Sequence, residues 1–455
     1  MATTSSALGQ HDLLLCILDL LSFPDLVSLS MVNKFSRYVT EPRLYATVEA
    51  AWALESTPSA SLLLRTLLDR PELSGCVRHL RLVGHGFHHD DDDDDAVNEP
   101  PARRLDSDCL TKASAFILST GVPFANFWIH ELESGTADAV VATLLATMSN
   151  LQSLHLDPNF TVRCRILGKL FHSSLIEASE HHQLPAFPNL RRVTFSPRYN
   201  QHLQLFANNT SDVLPLFHLR NLQQLSVSID NPFHFAWPGT RPKPSHLESL
   251  EVFRLREAPL LSLLTPLQKL RKLHWHWFYQ PHLDEGLSTN IIQLDVMTQA
   301  FKQVSHTLTD LTIEAEAPRS CTMAGHYYQS LPLELWGSLG DMVHLRALRR
   351  LSLPWVFLMG FSESSTKCPQ LPLSTSLEVL TLTGDLADNE QWEWCHDSIL
   401  SAIKSTLDFW HRPLSSSLRR IVLPIPLGCG QLTDGREKEL QDIGASAGLE
   451  LGWKR

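Results

Sequence analysis

Organised cysteines, an excess of basic charge and long apolar runs are what this sequence lacks. Its eight cysteines (Cys16, Cys76, Cys109, Cys164, Cys321, Cys368, Cys395 and Cys429) are scattered, and none forms Cys-x-x-Cys. That pattern argues against a zinc ribbon and points to reduced thiols in an intracellular protein, cytoplasmic or nuclear. No apolar run reaches the roughly eighteen residues that span a membrane. The first thirty residues carry neither a basic n-region nor a small-residue cleavage site, so no secretory signal is expected. Net charge is −11, and Asp90–Asp95 supplies six of those charges, leaving −5 elsewhere. A general nucleic-acid binder would show the opposite sign. Gly-x-Ser-x-Gly, Gly-x-x-x-x-Gly-Lys and His-Glu-x-x-His are all missing, so no catalytic residue or cofactor is expected. The 22 histidines are mostly dispersed; His181-His182 and the pair His274/His276 are the closest groupings. Two imidazoles without a third ligand rarely hold a metal, and none is expected.

What the chain does have is a recurring Leu-x-x-Leu-x-Leu hexad or an apolar variant of it. Hexads begin at Val77, Phe124, Leu151, Leu190, Leu222, Leu247, Leu270, Leu308, Leu348, Leu377 and Leu418, spaced 47, 27, 39, 32, 25, 23, 38, 40, 29 and 41 residues apart. Apolar runs with helical spacing follow, among them 139–148, 291–304 and 394–410. Strands alternating with helices at this distance predict a parallel sheet with helices on its other side. The recurrence resembles the leucine-rich repeats, whose regular unit is roughly 20–29 residues. Only Asn159 sits where that family often places an asparagine, with Asp230 and Asp385 as partial substitutes.

By the two-residue strand period, hexad positions one, four and six face the core, and positions three, five and seven line a second face. Candidate target-binding residues on that face are Trp128, His130, His155, Asp157, Glu251, Phe253, Lys272, His274 and His276. The mixture of aromatic and charged anchors suits protein recognition.

Two long segments interrupt the hexads. Residues 85–104 contain six consecutive aspartates, which repel one another, and a disordered acidic loop is expected there. Asn231–His246 is proline-rich and holds Phe233, Phe235 and Trp237, which either contact a ligand or fold back on a neighbour. Asp434–Ala447 reads as a last helix and Leu449–Trp453 as a closing strand.

Ahead of the hexads, Leu13, Leu14, Ile17, Leu18 and Leu21 mark one helix face. Ser22, Pro24 and Asp25 signal a second helix start, with Leu26, Leu29 and Val32 on it. Phe35, Tyr38 and Val39 mark a third helix, which Pro42 is expected to end. Asp12, Ile17-Leu18, Leu21, Asp25-Leu26, Leu29, Val32, Lys34 and Phe35 stand in the order and spacing of the F-box motif, which residues 8–48 resemble. Gly9-Gln10 occupy the place of that family's Leu-Pro. The resemblance implies docking of an Skp-family adaptor through Leu13, Leu14, Ile17, Leu18, Leu21, Pro24 and Leu26. An F-box followed by leucine-rich repeats is the arrangement of substrate-recognition subunits of cullin–RING ubiquitin ligases, here in the irregular, many-proline style of fungal members.

The expected fold is therefore α/β. A three-helix module at 8–48 precedes an irregular leucine-rich-repeat solenoid over 49–455. Its partners would be the adaptor, the ligase and an unknown target protein, with no nucleic acid and no membrane. The alternatives are a helical cap on a repeat scaffold with no ubiquitin role, and, more remotely, an enzyme using the histidine-rich strands.

Overall fold

The computed structural model describes residues 14, 16–53, 58–85, 100–161, 164–177, 182–195, 209–230, 232, 234–243, 246–279, 289–317, 332–365, 374–410, 417–426 and 433–454. Asp90–Asp95 and most of the acidic segment, Leu13 and Phe233 lie outside them. The chain divides into two compact units, Met1–Ser196 and Pro197–Arg455.

The first unit opens with the helical module. Residues 16–18 are helical, followed by α1 (Phe23–Ser30) and α2 (Lys34–Leu44). Ser22 caps α1, its Oγ accepting from Asp25 N at 3.4 Å, and Asn33 caps α2, its Oδ1 accepting from Ser36 N at 2.8 Å. Pro42 does not end α2. The helix runs two residues past it and closes where Tyr45 N donates to Glu41 O. Proline removes only its own N–H, one bond from the ladder, and that loss is tolerable this near a terminus.

Next come β1 (Thr47–Ala53), α3 (Ser59–Asp69) and β2 (His79–His85). Three helices follow, α4 (Ser107–Ser119), α5 (Ala125–Ser134) and α6 (Ala137–Thr147), and then β3 (Ser153–Leu156), α7 (Arg165–Leu175) and β4 (Arg192–Phe195). The strands pair in parallel in chain order.

The second unit contains β5 (Gln224–Ser228), β6 (Ser249–Phe253), α8 (Glu257–Leu264), β7 (Lys272–Phe278), β8 (Ile291–Gln293), α9 (Leu294–Lys302) and β9 (Asp310–Glu316). It continues through β10 (Glu334–Trp336), β11 (Arg350–Pro354), β12 (Val379–Thr383), α10 (His396–Trp410), β13 (Arg420–Leu423), α11 (Asp434–Ala447) and β14 (Glu450–Trp453). A parallel sheet runs β5-β6-β7-β9-β11-β12-β13-β14, while β8 and β10 form a separate pair.

The hexads set the register. Position four stacks on position four throughout: Val48, Leu80, Leu154 and Val193 in the first unit. In the second the stack is Leu225, Leu250, Leu273, Leu311, Leu351, Leu380, Ile421 and Leu451. All except Val48 are buried. Each buried leucine contributes about 1.5–3 kcal/mol, and a one-residue slip would turn the whole row outward.

The backbone repeats as well. The position-two carbonyl of one strand accepts from both the position-two and position-three N–H groups of the next. Arg271 N and Lys272 N donate to Glu248 O at 2.8 and 2.9 Å, and Arg349 N and Arg350 N to Thr309 O at 2.8 and 3.0 Å. Ala46 O receives Arg78 N and His79 N in the same way, so β1 is an additional hexad beginning at Tyr45. Its Tyr45, Val48 and Ala50 conceal it, because leucine is absent at all three core positions.

The hexad expected at Phe124 is a helix. Ala125, Trp128 and Leu132 are buried at helical spacing on α5, and Gly135 terminates it at φ 76°. A side chain at Gly135 would meet the Arg103 carbonyl carbon at 2.4 Å. The period-two and period-3.6 patterns overlap over six residues, and packing decides between them. The helical run expected from Ile291 begins instead at Leu294, because Ile291–Gln293 pair with β10. Asp434–Ala447 is helical and Glu450–Trp453 forms the last strand, as expected. In the proline-rich segment Trp237 folds back, with ring centroids 5.6 Å from Phe217 and 5.4 Å from Phe235.

Candidate functional site: an apolar helical face and a polar strand face

The helical module has a small core. Leu18, Leu26 and Val39 are buried, with Leu14, Leu21, Leu29 and Leu44 packed against them. Leu18 and Leu26, expected at the adaptor surface, are thus interior, while Pro24 is exposed and Leu14 and Leu21 are half-buried. Ile17 keeps its expected outward position at 52% exposure.

The residues that reach solvent are others. Leu20 (85% exposed), Phe23, Val27, Met31 (79%), Val32, Phe35 and Tyr38 (76%) are all exposed, and Phe23, Val27 and Met31 line one groove. Single exposed apolar side chains are ordinary, but eight large ones within 22 residues, Ile17 to Tyr38, make this stretch the candidate contact surface. The signal was in α1, where Leu26 and Leu29 make one apolar stripe and Phe23 and Val27 a second at i, i+4. A helix apolar on two sides buries one in its own core and leaves the other as a candidate contact surface.

The module is tied to the first strand–helix unit by a charge cluster. Arg70 grips Glu41 through two bonds, Nη1–Oε1 at 2.7 Å and Nη2–Oε2 at 2.8 Å, while Arg37 Nε also reaches Glu41 at 2.7 Å. The Arg70 hydrogen bonds, reinforced by those of Arg37, hold the Glu41 carboxyl down at about 2. A carboxyl lowered in the folded state stabilises it above the unfolded value of 4.5, and that stabilisation is lost as pH falls through about 2. Arg70→Ala is expected to cost about 1.5–3 kcal/mol at neutral pH. It should also flatten the loss of stability between pH 5 and 2, which thermal melting across that range measures.

The strand face carries the second candidate site. His155 Nε2 lies 2.9 Å from Asp157 Oδ1, and Asp157 Oδ2 accepts from Gly84 N at 3.2 Å, so Asp157 is engaged within the fold. In the second unit a polar ladder crosses neighbouring strands. Ser226 Oγ donates to Glu251 Oε2 at 2.6 Å, His274 Nδ1 lies 3.0 Å from Glu251 Oε1, and His274 Nε2 lies 3.1 Å from Glu314 Oε1. His276 Nε2 is 3.1 Å from Glu316 Oε2. Lys272 is exposed beside them, and Trp275 and Trp277 are buried on the opposite face, as the strand period requires.

Phe253 keeps the expected face, in register with His276, but is buried there. It is 2% exposed, beneath the rings of His274 (6.1 Å) and His276 (5.8 Å). The strand ends there, and the next residue, Arg254, takes φ 70°. Trp128 and His130 do depart from the expected face, since both are on α5. Trp128 is buried, its indole N–H donating to Ala139 O at 3.2 Å and Thr143 Oγ1 at 3.1 Å, while His130 is exposed.

The bonds to Glu251, and then to Glu314, push His274 up to about 9, so the imidazole is charged at neutral pH. For a raised cation the stabilisation is complete below the unfolded value of 6.5 and lost as pH rises through about 9. Between pH 6 and 9.5 the wild-type chain is expected to lose melting temperature relative to His274→Gln. Parallel pH curves for the two chains would contradict the clasp.

Among the described residues no group of three or more His, Cys, Asp or Glu side chains is arranged to hold a metal ion, and no helix is long and apolar enough to cross a membrane. No curated protein matches the chain. The family model for the F-box domain matches residues 11–46, spanning the helical module and its exposed apolar face. F-box domains bind Skp-family adaptors of SCF-type ubiquitin ligases, and the match supports an F-box protein.

Proposed function

We propose that this chain is a non-catalytic substrate-recognition subunit of a cullin–RING ubiquitin ligase, working inside the cell in the cytoplasm or nucleus. The observation that carries this reading is the apolar face from Ile17 to Tyr38, which lies within the residues matching an F-box domain. That face docks an Skp-family adaptor. The strand–helix units behave as leucine-rich repeats of an irregular solenoid, a reading supported by the in-register stacking of hexad position four and the recurring position-two carbonyl bonds. The polar strand face around Glu251, Lys272, His274 and His276 holds the target protein. The chain supplies no reacting group. It raises the effective concentration of a target lysine near charged ubiquitin, which substitutes proximity for chemistry.

Affinity capture of the full chain from cells tests this assignment. The expected result is recovery of the adaptor together with a cullin, and a target that accumulates when the chain is depleted. Recovery of the intact chain without either ligase component would favour the repeat scaffold with no ubiquitin role, which the Gly9-Gln10 replacement of Leu-Pro also favours.

A further inference from the structure

A groove of about 1050 Å³ opens beside the apolar face of the F-box domain. Phe23, Val27 and Met31, members of that exposed face, line it. So do Thr47, Val48 and Glu49 of β1, which lie beyond residue 46, where the domain match ends. The groove is therefore continuous with the docking surface and extends outside the domain.

The strand side is available for contact. In its sheet β1 is outermost and pairs only with β2 among the described residues. Its free edge is closed at Ala51, whose N–H donates to Ser59 Oγ at 2.6 Å while that hydroxyl donates to Ala51 O at 2.9 Å. Thr47–Glu49 lie ahead of this plug. Glu41 also lines the groove, and its two bonds to Arg70 hold α2 against α3, so the groove is formed before anything enters it. Lys34 and Glu49 place charges of both signs along the lining.

We infer that the adaptor bound by the F-box domain also fills this groove and contacts β1, so that the adaptor interface continues past residue 46 onto the first strand. This rests on the adaptor-docking reading above. The occupant is an adaptor segment with an apolar anchor against Phe23, Val27 and Met31, and with polar groups of both signs to meet Lys34 and Glu49. Binding then senses whether the first strand is folded, and not only the helical module.

The test uses the full chain with a purified Skp-family adaptor. A photo-cross-linking residue is placed at Thr47 or Glu49, and separately at Met31, and adaptor affinity is measured for Thr47→Arg and Glu49→Arg with melting checked in parallel. Expected are cross-links to the adaptor from all three positions and affinity reduced at least about tenfold by either arginine. Cross-linking from Met31 alone, with unchanged affinity for both arginine variants, would overturn the extension and leave adaptor docking standing. Cross-links from Thr47 or Glu49 to a second copy of this chain would also overturn it. Absence of any complex with the unmodified chain would overturn both readings together.

Discussion

Replacing Phe23 and Met31 together by aspartate is expected to abolish adaptor binding while leaving the chain folded. Both side chains point outward, at 63% and 79% exposure, and neither belongs to the Leu18/Leu26/Val39 core. Surface substitutions away from a core change stability by roughly 0.5 kcal/mol or less. At an interface the same two positions would place carboxylates against an apolar partner. A buried apolar anchor is worth about 2 kcal/mol or more, so the pair is expected to weaken binding by roughly a thousandfold. Leu18→Ala and Leu26→Ala should behave in the opposite manner. Each opens a cavity in a very small core, costing about 2–5 kcal/mol of stability, and affects the adaptor only by unfolding the module. Titration calorimetry paired with melting curves separates the two classes. Equal loss of binding and of stability at Phe23 and Met31 would mean that these residues support the module and do not contact a partner.

Glu257→Ala is expected to destabilise the second unit by about 3–5 kcal/mol, since removing one member of a buried ion pair strands the other. Glu257 and Arg256 are both buried, with Arg256 Nε 3.0 Å from Glu257 Oε2. The same carboxylate accepts from Trp277 Nε1 at 2.9 Å and from Gln293 N at 3.2 Å. Arg256 donates onward to Thr289 O at 2.8 Å and Ile291 O at 2.7 Å, and its guanidinium lies 4.7 Å from the Trp277 ring centroid. One residue pair therefore ties α8, β7 and the β8 segment together beneath the strand that carries His274 and His276. A loss of this size lowers the melting temperature by roughly 6–20 °C. Arg349→Ala removes an exposed pair with Glu378, 3.4 Å apart, and is expected to cost less than about 1 kcal/mol. Similar losses for the two variants, measured by denaturant titration, would show that the buried network adds nothing beyond an ordinary surface contact.

Strand register was the most legible part of the fold. Leu250, Leu273, Leu311 and Leu351 stack as their hexads require, because a buried sheet face admits a single alignment of an apolar row. Where several patterns fit the same residues, the sequence misled. Phe124–Ile129 satisfies a strand alternation, yet Trp128 finds its hydrogen-bond partners only across a helix pair, which no local pattern discloses. The strand at Thr47–Ala53 escaped notice because valine and alanine occupy its core positions. The helical module was recognisable in order and spacing, but inside and outside were exchanged at Leu18 and Leu26. In a module this small, core leucines and contact residues are equally apolar, so hydrophobicity alone cannot separate them. Phe253 was placed on the right face, in register with His276, but the neighbouring His274 and His276 rings bury it, which the strand period alone does not disclose. His274 and His276 were placed correctly on one face, whereas their partners Glu251, Glu314 and Glu316 became neighbours only through the pairing of β6, β7 and β9.

The most direct measurement is co-expression of the full chain with an Skp-family adaptor, followed by size-exclusion chromatography with light scattering. Docking through the Ile17–Tyr38 face requires a stable one-to-one complex, lost with the Phe23→Asp/Met31→Asp variant. Separate elution of a folded, soluble chain and a folded adaptor would contradict it and leave the repeat scaffold as the standing interpretation.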